Sequence, residues 1–397
     1  MREPLPDGLA GEGELGLLNT PRRAILVSRT PRGPHPATPW VRAVADAARN
    51  SAERGETLIV GLGRDPFDVA LAVCRRAGGA AIIVLTAPPE KDEFLRERCD
   101  LLPARRLLVW PRAERGAPPP REGPQRRRDL CLARLADRAW TVAVRRGGNM
   151  AAAAELLAAR GCPVEAFGPV EKNKTPRETP AENEPRDPDL LLPAGGGWPW
   201  LTHFTREPGG RWPEESAAEY ADWLAHGPSG ERRTAFAALR RIVFSRRIQA
   251  CGRLMPLRLP AVSFTARPPW ELAPLVRWRR GLGRWTFRPY GLAVRRELLE
   301  NLGARPVRYL EAAACRRTAS AERLYFQPRG GAAGDWTGEA EWRLAGDLDF
   351  HAAPAEALLL LVPRFSEARA LQAKFGITAR VIEDFSRRAR PAAGGRR

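Results

Sequence analysis

A chain of 397 residues exceeds one ordinary core, and at roughly 150 residues per domain it predicts two folded halves. With 44% hydrophobic residues, 12 tryptophans and 13 phenylalanines, the composition excludes a chain too poor in apolar side chains to fold. The formal charge of +19 points to phosphate-rich partners, but lysine occurs only at Lys91, Lys172, Lys174 and Lys374; the arginine excess is what a high-GC genome produces, so a scattered basic surface and a nucleic-acid groove both stay open.

Residues 1 to 20, rich in Gly, Pro and acidic residues and without periodicity, are expected as a flexible tail. Short apolar runs follow: Ala24 to Val27, Thr57 to Val60, Ala81 to Leu85, Leu107 to Trp110 and Thr141 to Val144. Runs of this length without polar alternation suit strands buried on both faces. Between them, Trp40 to Ala52, Asp65 to Arg76, Arg127 to Asp137 and Asn149 to Arg160 carry apolar residues at helical spacing. The alternation predicts an α/β Rossmannoid domain over 21–168, with a mostly parallel, doubly wound sheet.

Residues 169–197, proline-rich and polar and closing on Gly195-Gly196-Gly197, are expected as a disordered linker. Tryptophan is then concentrated after residue 197. Helical patterns at Ala217 to Ala225 and Arg232 to Arg247 precede strand candidates at Ala261 to Thr265, Thr286 to Arg295, Val307 to Leu310, Glu341 to Leu344 and Ala357 to Val362. With a last helix around Ser366 to Phe375, residues 198–380 predict an α+β domain, and 381–397 a basic tail.

In an open parallel sheet, ligands sit beyond the carboxyl ends of the strands, where glycine turns and helix N-termini receive anions. Two turns qualify: Gly61-Leu62-Gly63 with Asp68 downstream, and Gly147-Gly148-Asn149. Pro66 stands where a dinucleotide fingerprint needs its third glycine, which weakens an NAD-type reading of the first turn. Plain tight βα turns, and Asp68 as a helix cap, account for the same residues. These turns, with Arg128-Asp129-Leu130 and Leu135-Ala136-Asp137 between them, resemble the DprA- and LOG-type Rossmannoid domain called SLOG, over residues 22–168. The resemblance implies a nucleotide or nucleotide-derived ligand or, in the DprA branch, single-stranded DNA, with Gly61, Gly63, Asp68, Gly147, Gly148 and Asn149 around it.

The second half carries His203-Phe204-Thr205, Ser263-Phe264-Thr265, Tyr290-Gly291, Pro306-Val307-Arg308-Tyr309 and Glu341-Trp342-Arg343. Over 198–362 their order resembles the abortive-infection AbiGi type of bacterial phage-defence protein and, more distantly, DarT-like ADP-ribosyltransferases; the insert from Trp278 to Trp285 departs from it. The resemblance implies a toxin-like effector that uses NAD as substrate, by ADP-ribosyl transfer or NAD hydrolysis, and needs no metal. Glu341 would stabilise oxocarbenium charge, His203 and Thr205 would bond a ribose, Tyr290 would stack on nicotinamide, and Arg343 completes the set. Ordinary strand residues with exposed ion pairs account for Glu341 and Arg343 equally, and a core tyrosine for Tyr290. Whether this half is an enzyme stays open: the alternatives are a nucleic-acid-binding protein with an arginine-rich surface, or the regulatory partner of a cognate defence protein.

Cys74, Cys99, Cys131, Cys162, Cys251 and Cys315 are dispersed without a CxxC pair, so no metal site is expected. The longest apolar run, Ala357 to Val362, is far short of the ~20 residues of a membrane span, and the expectation is a cytoplasmic protein.

Overall fold

The computed structural model describes residues 5–28, 34–112, 123–167, 184–193, 195–227, 233–252, 255–272, 275–276, 278–279, 284–320, 322–329 and 337–382. Residues 169–183 of the expected linker and 383–397 of the expected basic tail lie outside the described residues, but their described ends are not loose: Leu190 is buried, Leu191 bridges Val381, and Val381 and Ile382 are buried, because these apolar side chains extend the edge of a sheet. The chain gathers into two compact units, Met1–Pro176 with Gly209–Glu231, and Arg177–Pro208 with Arg232–Arg397.

The first unit holds a seven-stranded sheet of β1 (Leu9–Gly13), β2 (Arg22–Val27), β3 (Thr57–Gly61), β4 (Ala80–Val84), β5 (Arg105–Pro111), β6 (Arg138–Val142) and β7 (Val164–Ala166), in the order β1-β5-β4-β3-β2-β6-β7. Every pairing is parallel except β1 with β5. β3 and β4 are buried along their whole length, as their unbroken apolar runs require. The connecting helices are α1 (Pro39–Glu53), α2 (Asp65–Arg76), α3 (Glu93–Glu97), α4 (Pro124–Leu135) and α5 (Asn149–Ala159). After β5 the chain crosses back to β6 beside β2, so the strand order reverses between β2 and β6. This is the doubly wound Rossmannoid arrangement the alternating pattern predicts.

Two further features differ from expectation. Residues 9–13, in the expected tail, form the antiparallel edge strand β1, and Leu9, Leu17 and Leu18 are buried behind it. Gly11 and Gly13 let this strand approach β5 where a Cβ would meet the backbone oxygens of Leu108 and Arg106. Such a strand is held by its main chain and shows no side-chain period. The helix read at Ala217 to Ala225 is present as α6 (Ala217–His226), opened by a Ser216/Glu219 capping box, but it belongs to the first unit. Ala218, Tyr220, Ala221 and Leu224 join the core there, and Asp222 pairs with Arg75 of α2 at 2.6 Å.

The second unit is built on β8 (Trp200–Phe204), β10 (Ala261–Thr265), β13 (Gly291–Arg295), β14 (Arg305–Pro306), β17 (Glu341–Ala345), β19 (Leu358–Val362) and β20 (Ala379–Val381), ordered β14-β17-β10-β8-β13-β19-β20. Only β19 and β20 run parallel. Two-stranded ribbons pair β9 (Arg247–Ile248) with β18 (Leu348–Asp349), β11 (Trp278–Arg279) with β12 (Arg284–Trp285), and β15 (Arg308–Leu310) with β16 (Phe326–Pro328). The helices are α7 (Ala235–Ser245), α8 (Pro269–Leu272), α9 (Arg296–Asn301), α10 (Ala312–Arg317) and α11 (Phe365–Phe375). One sheet face packs Leu201, Phe264, Leu292 and Leu360 against α7, α9 and α11; the other meets a smaller cluster around Leu272, Phe287 and Leu361. Among the described residues no helix is long and apolar enough to cross a membrane.

Candidate functional site

The two glycine turns of the first unit lie at the carboxyl end of the sheet but offer different surfaces. At the first, which follows β3, a Cβ on Gly61 would clash with the Phe67 ring and crowd the Arg128 guanidinium, and one on Gly63 would clash with the Phe94 ring. Gly63 has φ +85°, so glycine is needed there on backbone grounds as well. The chain's own side chains occupy the close approach that a phosphate would use. Asp65 and Asp68 stand in the first turn of α2, where their charge already complements the helix dipole. Asp68 is buried and accepts from Arg98 Nε at 2.9 Å; burial pushes its pKa up to about 6 against the pull of Arg98. Gly61, Gly63 and Asp68 therefore form a packed, ion-paired corner.

Beneath the strand ends, Arg128 and Asp129 are both nearly inaccessible. Arg128 donates Nε and Nη2 to Asp129 Oδ1 at 2.9 and 2.6 Å and Nη1 to the Leu62 carbonyl at 2.8 Å, while Asn149 Nδ2 donates to Asp129 Oδ2 at 3.1 Å. This buried chain links the first turn to the start of α5. Asn149 is thus committed through its amide nitrogen to positioning α5.

At the second turn, Gly147 has φ +68° and nothing within 4 Å of a built Cβ, and Gly148 meets only the Arg145 carbonyl and Ser28 Oγ. Arg145 and Arg146 are exposed, α5 has no side-chain cap, and no acidic residue stands in its first turn. The Arg145 amide donates to Ser28 Oγ at 2.7 Å, which ties the turn to the end of β2 where the strand order reverses. Ala143, leading into this turn, sits at φ +49°, a left-handed conformation that costs a non-glycine residue roughly 1–2 kcal/mol.

In the second unit the register decides which predicted residues meet. Thr265 of β10 stands opposite both Thr202 and Glu341, and Ser263 opposite Arg343, so Glu341 and Arg343 share a face with Ser263 and Thr202. His203 stands opposite Leu292, on the face that packs against α7 and α11. His203 and Glu341 therefore project from opposite faces of one sheet, and the structure does not bring the predicted set into a single pocket.

Glu341 accepts from Ser263 Oγ at 2.7 Å and from Arg343 Nε and Nη2 at 2.9 and 2.8 Å. Arg343, 2% exposed, also donates to the Leu324 carbonyl at 2.6 Å and to Gln327 Oε1 at 2.9 Å. The Tyr309 hydroxyl accepts from the Glu341 amide at 3.2 Å. Both carboxylate oxygens are bonded within the chain, so this constellation ties β17 to β10 and to the segment around β16.

On the other face, the His203 ring donates Nδ1–H to the Ser263 carbonyl at 2.9 Å, and burial lowers its pKa to about 4, against the pull of that carbonyl. Thr205 Oγ1 donates to the Ala235 carbonyl at 2.7 Å and so anchors the start of α7. Tyr290 donates its hydroxyl to Glu367 Oε1 at 3.1 Å. Burial raises the Tyr290 pKa, and raises that of Glu367 to about 7. Glu367 is the acidic residue that sequence reasoning missed: it lies in a helix of ordinary amphipathic pattern, 77 residues from its partner. Among the described residues no cluster of His, Cys, Asp or Glu is arranged to hold a metal ion.

No protein-family model matches the chain, and no curated protein matches it. Among solved structures, DNA processing protein A from Streptococcus pneumoniae is 18% identical, over 40% of this chain and 54% of that one, with a TM-score of 0.34. The protein of the same name from Helicobacter pylori, described for its single-stranded DNA binding mode, is 17% identical over 42% of this chain and 74% of that one, at 0.32. The molybdenum cofactor carrier protein of Chlamydomonas reinhardtii is 18% identical over 37% and 76%, at 0.26. Likenesses of this size carry no argument, and the chain spans about half of the first of these proteins; the Rossmannoid assignment rests on the strand order itself.

Proposed function

We propose that the protein binds a phosphate-bearing ligand, a nucleotide or a single-stranded nucleic acid, at the turn from Arg145 to Asn149 in the first unit. The observation that carries this reading is the contrast between the two glycine turns. One is filled by Phe94, Phe67 and the ion pair of Asp68 with Arg98; the other is open, uncapped, flanked by two exposed arginines, and placed where the strand order reverses. Unsatisfied N–H groups at the start of a helix of this length, with cations beside them, favour an anion. The left-handed Ala143 fits a turn whose shape is kept for its ligand.

The test is calorimetric titration of the purified protein with ATP, NAD, ADP-ribose and an oligothymidylate. Arg145→Glu with Arg146→Glu should weaken the ligand that binds by on the order of tenfold or more, since two favourable charges become unfavourable. Binding unaffected by that pair, or abolished by Asp68→Asn instead, would move the site to the first turn. NAD used as a substrate by an effector in the second unit stays a separate proposal. Its signature would be NAD consumption abolished by Glu341→Gln in protein that remains folded.

A further inference from the structure

The groups around the second turn of the first unit are almost all donors. The first bond of α5 runs from the Ala152 N–H to the Gly148 carbonyl at 3.1 Å, which leaves the N–H groups of Asn149, Met150 and Ala151 unused by the helix. Ser28 stands across the turn, its Oγ 4.0 Å from where a Cβ on Gly148 would lie. That oxygen accepts from the Arg145 amide at 2.7 Å, so its own proton is left to donate. Among the described residues the guanidinium groups of Arg145 and Arg146 make no bond within the chain.

Asn149 breaks this pattern, and the buried chain beneath it decides how. Arg128 has only donors, and they go to the Leu62 carbonyl and to Asp129 Oδ1. Asp129, 0% exposed, has only acceptors, and its Oδ2 is left for Asn149. A carboxylate receives an amide only through the nitrogen, so Nδ2 faces inward at 3.1 Å and Oδ1 is turned away from the buried pair. Among the described residues nothing donates to Oδ1, and it stays open to solvent. The amide is therefore locked as an acceptor at the first residue of α5, beside the free N–H groups. A phosphate oxygen is repelled there, whereas a hydroxyl next to the phosphate is matched. On a nucleotide that hydroxyl belongs to the ribose; inside a DNA strand the sugar has none, and inside RNA every sugar carries one.

We propose that Asn149 sets the specificity of this turn: its Oδ1 accepts from a ribose hydroxyl beside the bound phosphate, so the ligand is a ribonucleotide, free or within single-stranded RNA, and not its deoxy counterpart. This rests on the reading of the Arg145–Asn149 turn as the phosphate site.

The experiment is calorimetric titration of the full-length protein at fixed salt with two matched series. One is ADP with its 2′,3′-dideoxy form; the other is a short oligouridylate with its 2′-deoxy and 2′-O-methyl forms. The series that binds more tightly tells a free nucleotide from a strand. Within it, the modified forms are expected to bind about 3- to 10-fold more weakly than the ribo form, the net worth of one hydrogen bond exchanged with water. The O-methyl form keeps the sugar oxygen and loses only its proton, so it tests for an acceptor on the protein. Asn149→Ala should bind ribo and deoxy forms equally. A residue that only holds α5 in place would lower both alike and leave their ratio unchanged, so the ratio is the readout. The ligand series requires no substitution and decides the question even where Asn149→Ala fails to fold. Equal affinity of ribo and deoxy forms for the wild-type protein, with binding still lost in Arg145→Glu, Arg146→Glu, overturns the role of Asn149 and leaves the phosphate turn standing. A ribose preference that persists in Asn149→Ala overturns it as well. Binding of neither series, or binding indifferent to the arginine pair, overturns both readings.

Discussion

Burial keeps the His203 imidazole neutral, and that has a measurable sign. A histidine whose pKa falls from 6.5 unfolded to about 4 folded stabilises the fold fully above pH 6.5 and loses that contribution as pH drops through 4. His203→Gln, whose amide can still donate to the Ser263 carbonyl, should flatten the loss of stability between pH 6.5 and 4 by roughly 2 kcal/mol, discounted because the ring is not fully enclosed. Urea unfolding of both proteins at pH 7 and pH 4.5 measures it, and parallel pH profiles would refute it. Glu341 answers a different question at the same scale. Removing its charge by Glu341→Gln leaves the Arg343 guanidinium, 2% exposed, without its carboxylate, a change expected to cost ~3–5 kcal/mol. If Glu341 were instead a surface residue in a simple exposed pair, the midpoint of unfolding would barely move.

Between elements, the two turns after β3 and β6 make the sharpest comparison. Gly63→Ala should destabilise by ~2–3 kcal/mol, because it forces a left-handed alanine against the Phe94 ring; Gly147→Ala, with open space around it, should cost only about 1 kcal/mol. Pairing Gly63→Ala with Phe94→Ala should cost less than the sum of the two single changes, a coupling that thermal unfolding of the four proteins reads out. The same turns mark how far sequence reasoning reaches. The strands from Ala24 to Val27 and from Ala81 to Leu85 are legible because continuous apolar runs have few other uses, and both turns are legible because glycine follows a strand. What fills a turn is not legible, since Phe94 stands 31 positions beyond Gly63 and nothing local announces the contact. For His203 and Glu341 the motifs fix strands but not faces. A face follows from register, and here the alignment of Thr265 with both Thr202 and Glu341 sets Glu341 apart from His203.

Taken as a whole molecule, the chain does not divide at one linker. Residues 177–208 belong to the second unit and 209–231 to the first, so α6 returns to a core whose strands ended more than 40 residues earlier. The capping box at Ser216 and the apolar stripe of α6 predict a helix but are silent about which core receives it, because an amphipathic face fits any apolar surface of matching shape. Its contacts are specific nonetheless: the Asp222–Arg75 pair, the Ala218 amide donating to Asp100 Oδ2 at 3.1 Å, and Tyr220, Ala221 and Leu224 buried in the core with α1 and α2. A chain ending at residue 167 would expose that apolar surface of α1 and α2 to water. Burying three or four such side chains contributes on the order of several kcal/mol, comparable with the whole net stability of a domain. The truncated chain should therefore unfold at clearly lower temperature or aggregate, and a synthetic peptide covering 213–227 should restore its thermal midpoint in a concentration-dependent way. Leu224→Asp in the intact chain should reproduce the loss. If the truncated chain unfolds at the temperature of the intact first unit, α6 is an appendage and the first unit is complete without it.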